Sequence, residues 1–215
     1  MLSSYQVGAE LYNLAKGGQH PMVNLATNGV DHEHLYPNVV AETKAGDPNH
    51  MVLAGAHLDS VPAGPGINDD GSGTAFQLEL AEQLAKSGTP PRNKIRFLWF
   101  GGEEDGLVGS QYYAAHLSAA DVAKTDVMID TDMIASPNFA RLVYDGDGNG
   151  KPGNPAGPAG SGTVENVFVR YWAQRGLVSE PIPFDGRSDY VGFINRGVPA
   201  GGVFAGARRP RPPSR

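Results

Sequence analysis

MVLAGAHLDSV at 51–61, GPGINDDGSG at 64–73 and KIRFLWFGGEE at 94–104 decide how this chain of 215 residues is read. Residues 51–56 are continuously apolar, as expected for a strand buried on both faces, and residues 95–100 repeat the pattern. The first run ends on His57-Leu58-Asp59 and the second on Glu103-Glu104, with Asn68-Asp69-Asp70-Gly71 in the Gly/Pro-rich loop between them. Strands that stop at His, Asp and Glu in an open α/β sheet bring those side chains to the carboxyl edge, where such folds bind ligands. An imidazole surrounded by carboxylates is a zinc ligand set, and several carboxylates leave room for a two-metal site.

Working outward, Ser72–Ser87 has helical apolar spacing at Ala75, Leu78, Ala81 and Leu84, with Gly88 as its C-cap. Upstream, residues 5–16 read as a short amphipathic helix, 17–34 as a polar irregular segment, 38–44 as an edge strand and 45–48 as a turn. The cluster DHEH at 31–34 has nothing beside it to fix ligand geometry and reads as a solvated loop. Downstream, 107–117 read as a helix, 126–130 as a strand ending near Asp132, 141–145 as a strand, 163–175 as a helix and the region near 180 as a short strand. The alternation predicts an α/β fold with a mostly parallel central sheet flanked by helices.

Residues 145–162, DGDGNGKPGNPAGPAGSG, open like the first half of a calcium loop, with Asp145, Asp147, Asn149 and Gly150 in place. The twelfth position is Ala156, where such a loop needs a bidentate Glu, which argues against calcium there.

Composition narrows the chemistry. The chain has no cysteine, so thiolate metal sites, Cys nucleophiles and disulfides are excluded, and any metal is held by His and carboxylates. The formal net charge is −6 although the last eight residues carry four arginines and no acid. An acidic body argues against nucleic acid and favours a cationic ligand such as a metal or a free amine. No apolar run approaches transmembrane length, and the first residues lack the basic-then-apolar pattern of a secretion signal.

Taken together, AHLDSV-x4-GINDDGSG (56–73), FGGEEDGLVGS (100–110), DTDMIASPN (130–138) and DGRSDY (185–190) resemble the Streptomyces-type double-zinc aminopeptidases, in unbroken order across residues 36–206. The resemblance implies a zinc exopeptidase that removes the N-terminal residue from peptides or proteins with a free N-terminus. By this likeness His57, Asp69 and Asp132 hold one zinc, and Asp69 bridges to a second zinc that Glu104 also holds. Glu103 matches the general base, Asp59 the carboxylate that orients the His57 ring, and Arg187 a residue that stabilises the oxyanion. Asp189 reads as structural, and Tyr190 stands where the family usually has His.

The family's second zinc also takes a His near the C-terminus, whereas the last of six histidines here is His116. The resemblance therefore predicts a catalytic region over 36–206 that is incomplete, a poorly defined segment over 1–35 and an Arg/Pro tail over 207–215. Two alternatives stand beside the aminopeptidase: a glutaminyl-cyclase-like zinc transferase on the same scaffold, and a non-catalytic metal-binding homologue. The family is commonly secreted, and a monomer is the expected state.

Overall fold

The computed structural model describes residues 4–24, 26 and 33–206. The chain divides into two compact units, Met1–Leu35 and Tyr36–Arg215. The first contains helix α1 (Tyr5–Lys16), started by Ser4, whose hydroxyl accepts from the Val7 amide. None of its residues is buried. Asp31 and His32 of the DHEH cluster lie outside the described residues, as does the 207–215 tail.

In the second unit, seven strands form one sheet: β1 (Val39–Glu42), β2 (Asp47–His57), β3 (Asn93–Phe100), β4 (Thr125–Thr131), β5 (Leu142–Tyr144), β6 (Glu180–Ile182) and β7 (Ala200–Phe204). Their order is β1-β3-β2-β4-β7-β5-β6. The centre, β3-β2-β4-β7, is parallel throughout, while β1 lies antiparallel on β3 and β5 antiparallel on β7. The sequence-based α/β expectation therefore holds, with antiparallel pairs towards the edges.

Period-two alternation divides the core between the two faces of the sheet. Leu53, Leu98, Phe100 and Met128 point to one face, where Ala114 of α3 (Val108–His116) and Phe193 of α6 (Val191–Ile194) cover them. Ala54, Phe97 and Trp99 point to the other, against Leu80, Ala81 and Leu84 of α2 (Gly71–Ser87). Each fully buried Leu or Phe contributes about 1.5–3 kcal/mol. The helix α2 lies close enough to the sheet that a Cβ on Gly73 would come within 1.8 Å of the Thr131 carbonyl oxygen. Only glycine fits there, and this approach sets the distance between the 66–73 loop and the end of β4.

Two elements differ from expectation. Strand β2 begins at Asp47, ahead of the apolar run, with a register shift between Asp47 and Met51, so the turn ends at Gly46 rather than Pro48. Helix α4 (Ala119–Lys124) has no apolar periodicity to announce it in six residues. A capping box forms it instead: the Ser118 side chain accepts from the Asp121 amide and Asp121 accepts from the Ser118 amide. Helix α5 (Ser161–Ala173) completes the second unit. Among the described residues no helix is long and apolar enough to cross a membrane.

Candidate metal centre

The parallel register levels the strand ends. His57 pairs with Phe100 across β2 and β3, and Gly55 with Asp130 across β2 and β4. The residues that follow therefore leave the sheet on one edge: Leu58 and Asp59 after β2, Glu103 and Glu104 after β3, Asp132 after β4. His57 Nε2 lies 3.3 Å from Asp69 Oδ1 and 3.6 Å from Asp132 Oδ1. One ligand atom from each of the three lies within 4.8 Å of the others. Glu104 stands outside this triplet, although its Oε1 is buried and without a hydrogen-bond partner among the described residues.

Asp70 fixes the edge in place. Its Oδ2 accepts the His57 amide at 3.2 Å, and its Oδ1 accepts the amides of Gly73 at 2.9 Å and Met133 at 3.1 Å. One buried carboxylate thus caps α2 and ties the ends of β2 and β4 together. Met133, at φ 51, turns the chain immediately after Asp132, and its carbonyl accepts the Ala205 amide. The Thr74 hydroxyl donates to the His57 carbonyl at 2.6 Å, and Gln77 Nε2 donates to Thr131 Oγ1 at 3.0 Å. Asp70 directly precedes α2, but two of its three amide partners lie 13 and 63 residues away.

Asp59 does more than its spacing from His57 suggests. The His57 Nδ1 bond goes to the Asp59 main-chain oxygen at 3.0 Å, while the Asp59 carboxylate is 3.8 Å away. That carboxylate accepts the amides of Glu103 at 3.0 Å and Glu104 at 3.1 Å. The main chain of Asp59 therefore orients the imidazole, and its side chain holds the Glu103–Glu104 turn.

The electrostatics are those of several acids crowded around one imidazole. Burial pushes Glu103 up to about 8, with His57 opposing and Asp189 and Asp132 adding to the rise. Burial, then Asp132, lifts Asp70 to about 7, and burial also raises Asp69 and Glu104. Burial lowers the His57 imidazolium, but Asp132, with Asp70 and Glu103, outweighs it and raises the group to about 11. The centre fits a zinc ion on this structure's own terms. His57 Nε2 and Asp132 Oδ1 are buried atoms without a hydrogen-bond partner among the described residues. Their 3.3–3.6 Å spacing matches the edge of a tetrahedron whose metal bonds are about 2.0–2.2 Å.

A pH dependence follows. Glu103 and Asp70 keep protons in the folded state that the unfolded chain releases near 4.5 and 3.8, so the metal-free protein loses stability as pH rises through about 8. His57 acts in the same sense: its stabilisation is present below 6.5 and is lost as pH rises towards about 11. After chelation, the melting temperature should fall between pH 5 and 9 by on the order of 10 °C, and added zinc should flatten the profile. A melting temperature of the chelated protein that is flat or rises with pH over this range would contradict the assignment.

Beside these residues is a cavity of about 460 Å³. Asp69, Glu103, Glu104 and Asp132 line it, together with Met133, Tyr144, Ile182 and Phe204. Arg187 also lines it, but its side chain is 83% exposed and its Nε donates to Asp185 Oδ2 at 2.8 Å. Tyr190 is fully buried, stacks edge-on against Tyr144 and Phe184, and its hydroxyl accepts the Gly186 amide at 2.8 Å. It shapes the Arg187 loop, its hydroxyl donating to Asp185 Oδ1 at 3.3 Å. Asp189 is buried beneath the centre with Asp130, whose Oδ2 accepts the Ser188 hydroxyl at 2.6 Å.

The profile of peptidase family M28 matches residues 38–213. A probable leucine aminopeptidase 2 of Aspergillus oryzae is 46% identical over 204 residues, 95% of this chain and 40% of that protein. Aminopeptidase Y of Saccharomyces cerevisiae is 48% identical over 172 residues, 80% of this chain and 30% of its own length. The chain thus spans less than half the length of these relatives. Among solved structures, a zinc aminopeptidase from Bacillus subtilis superposes with a TM-score of 0.64 at 32% identity, covering 79% of this chain and 40% of that one. A glutaminyl cyclase from an Acidobacteriales bacterium reaches a TM-score of 0.61 at 21% identity over 80% of this chain and 60% of its own, a likeness of fold alone. Matched by that profile over most of its length, the chain belongs to peptidase family M28.

Proposed function

We propose that this chain carries the core of a zinc aminopeptidase that hydrolyses the first peptide bond of substrates with a free N-terminus. The observation that supports it most is the convergence of His57, Asp69 and Asp132 at a buried sheet edge with Glu103 beside them. These three residues would hold one zinc, and Asp69 with Glu104 would supply two ligands to a second. Bound there, zinc supplies Lewis acidity and lowers the pKa of water towards neutrality.

The chain's own groups account for the remaining steps. Glu103, buried beside the candidate ligands but outside their triplet, suits a base that takes the proton of the attacking water and returns it to the leaving amine. The acids lining the cavity attract the substrate α-ammonium, while Met133, Ile182 and Phe204 accept an apolar first side chain. Arg187 would have to leave Asp185 to reach a developing oxyanion. The acidic body disfavours a nucleic-acid partner. A cyclase reading has fold likeness alone behind it.

Zinc content of the folded chain and turnover of leucine p-nitroanilide test the proposal together. Hydrolysis that stops on chelation and returns with zinc is the expected result. Zinc bound without turnover would leave a non-catalytic homologue, and cyclisation of an N-terminal glutamine peptide would replace the aminopeptidase with the cyclase.

A further inference from the structure

The turn that carries Glu103 and Glu104 is also held by residues ahead of the first strand. Strand β1 runs antiparallel to β3 with Val39 opposite Trp99. Continued past the strand ends, that register sets Asn38, Pro37 and Tyr36 beside Phe100, Gly101 and Gly102. A segment distant in sequence thus meets the backbone immediately before the two glutamates.

Two glycines permit the approach. A Cβ on Gly101 would come within 2.7 Å of the Pro37 carbonyl oxygen, and one on Gly102 within 2.7 Å of Tyr36 Cγ. Gly102 also adopts φ 74, a conformation that residues with a Cβ rarely take. The Tyr36 ring therefore packs on the Gly102 backbone, and its hydroxyl donates to Asp105 Oδ2. Asn38 adds two bonds: its Oδ1 accepts the Gly101 amide at 3.2 Å, and its Nδ2 donates to the Gly109 carbonyl at 2.9 Å. One side chain, that of Tyr36, touches both the residue before Glu103 and the residue after Glu104. Between those two points, the Asp59 carboxylate takes the amides of the glutamates themselves.

We propose that Tyr36 is a positioning residue for Glu103, its ring and hydroxyl clamping the turn at Gly102 and Asp105 so that the carboxylate stays aimed at the cavity. The role rests on the reading of Glu103 as the general base. Tyr36 is not among the residues that line the cavity, so it acts through the turn and not on the substrate. Small displacements of a reacting group are costly: a shift of about 1 Å lowers a rate by up to about 100-fold.

The test compares Tyr36→Phe, Tyr36→Ala, Asp105→Ala and the double variant Tyr36→Phe with Asp105→Ala in the zinc-loaded full chain. Leucine p-nitroanilide kinetics and hydrogen exchange of the Glu103 and Glu104 amides are the readouts. Tyr36→Phe keeps the ring and should lower kcat and speed exchange of the two amides by about 2–10-fold, as the loss of one hydrogen bond predicts. Tyr36→Ala also uncovers Gly102 and should lower kcat by about 10–100-fold with KM within about threefold of the parent. In both, zinc at the His57 triplet and exchange across residues 51–57 should match the parent. Because Tyr36 and Asp105 share one bond, the double variant should lose no more than the larger single loss. Exchange that rises equally at 51–57 would make Tyr36 a residue of general stability and overturn the proposal, as would unchanged kcat and exchange in Tyr36→Ala. A parent that binds zinc without turnover would end the aminopeptidase reading, and exchange of the two amides would then decide alone whether Tyr36 holds the turn.

Discussion

Glu103→Gln should lower kcat for leucine p-nitroanilide by about 10²–10⁴-fold while leaving the zinc content of the chain unchanged. The substitution keeps the shape and burial of the side chain but removes the group that accepts and returns the proton. Glu103 is absent from the triplet that converges on the candidate zinc position, so its loss takes no ligand away. It lies buried at the sheet edge beside those ligands, where a carboxylate off the metal can pass a proton between water and the leaving amine. The expected signature is therefore a fall in kcat with KM little altered. A loss of zinc equal to the loss of activity would instead make Glu103 a ligand, and turnover within about threefold of the parent would remove it from the chemistry.

What the sequence showed and what it hid follow from the range over which each signal acts. Continuous apolar runs at 51–56 and 95–100 are local, and so are the strand ends that place His57 and Glu103 on one edge. Gly88 marks the end of α2 by the same local logic and adopts φ 67 there. Helix α4 was hidden because six residues are too few to show an apolar period, and its stability comes from one capping box. The partners of Asp59 and Asp70 were hidden for another reason. Each carboxylate bonds main-chain amides tens of residues away, and an amide leaves no mark in the sequence. Side chains that make chemistry can be read from residue type, but those that hold them in place depend on tertiary structure.

Asp59→Ala separates two functions that lie in one residue. Its carboxylate accepts the Glu103 and Glu104 amides at 3.0 and 3.1 Å, so alanine removes both of these ties from the turn. Its main-chain oxygen, which accepts from His57 Nδ1 at 3.0 Å, is retained by any substitution. Activity should therefore fall by about 10–100-fold, through misplacement of Glu103, while zinc affinity at the His57 site changes by less than about threefold. Asp59→Asn keeps one acceptor oxygen of the two and should fall between parent and alanine. If the carboxylate were the group that fixes the imidazole, zinc affinity would drop together with activity in the alanine variant, by about tenfold or more. Measuring zinc dissociation and kcat on the same two variants decides between these accounts, because the distances of 3.0 Å to the carbonyl and 3.8 Å to the carboxylate allow only one of them to be the hydrogen bond.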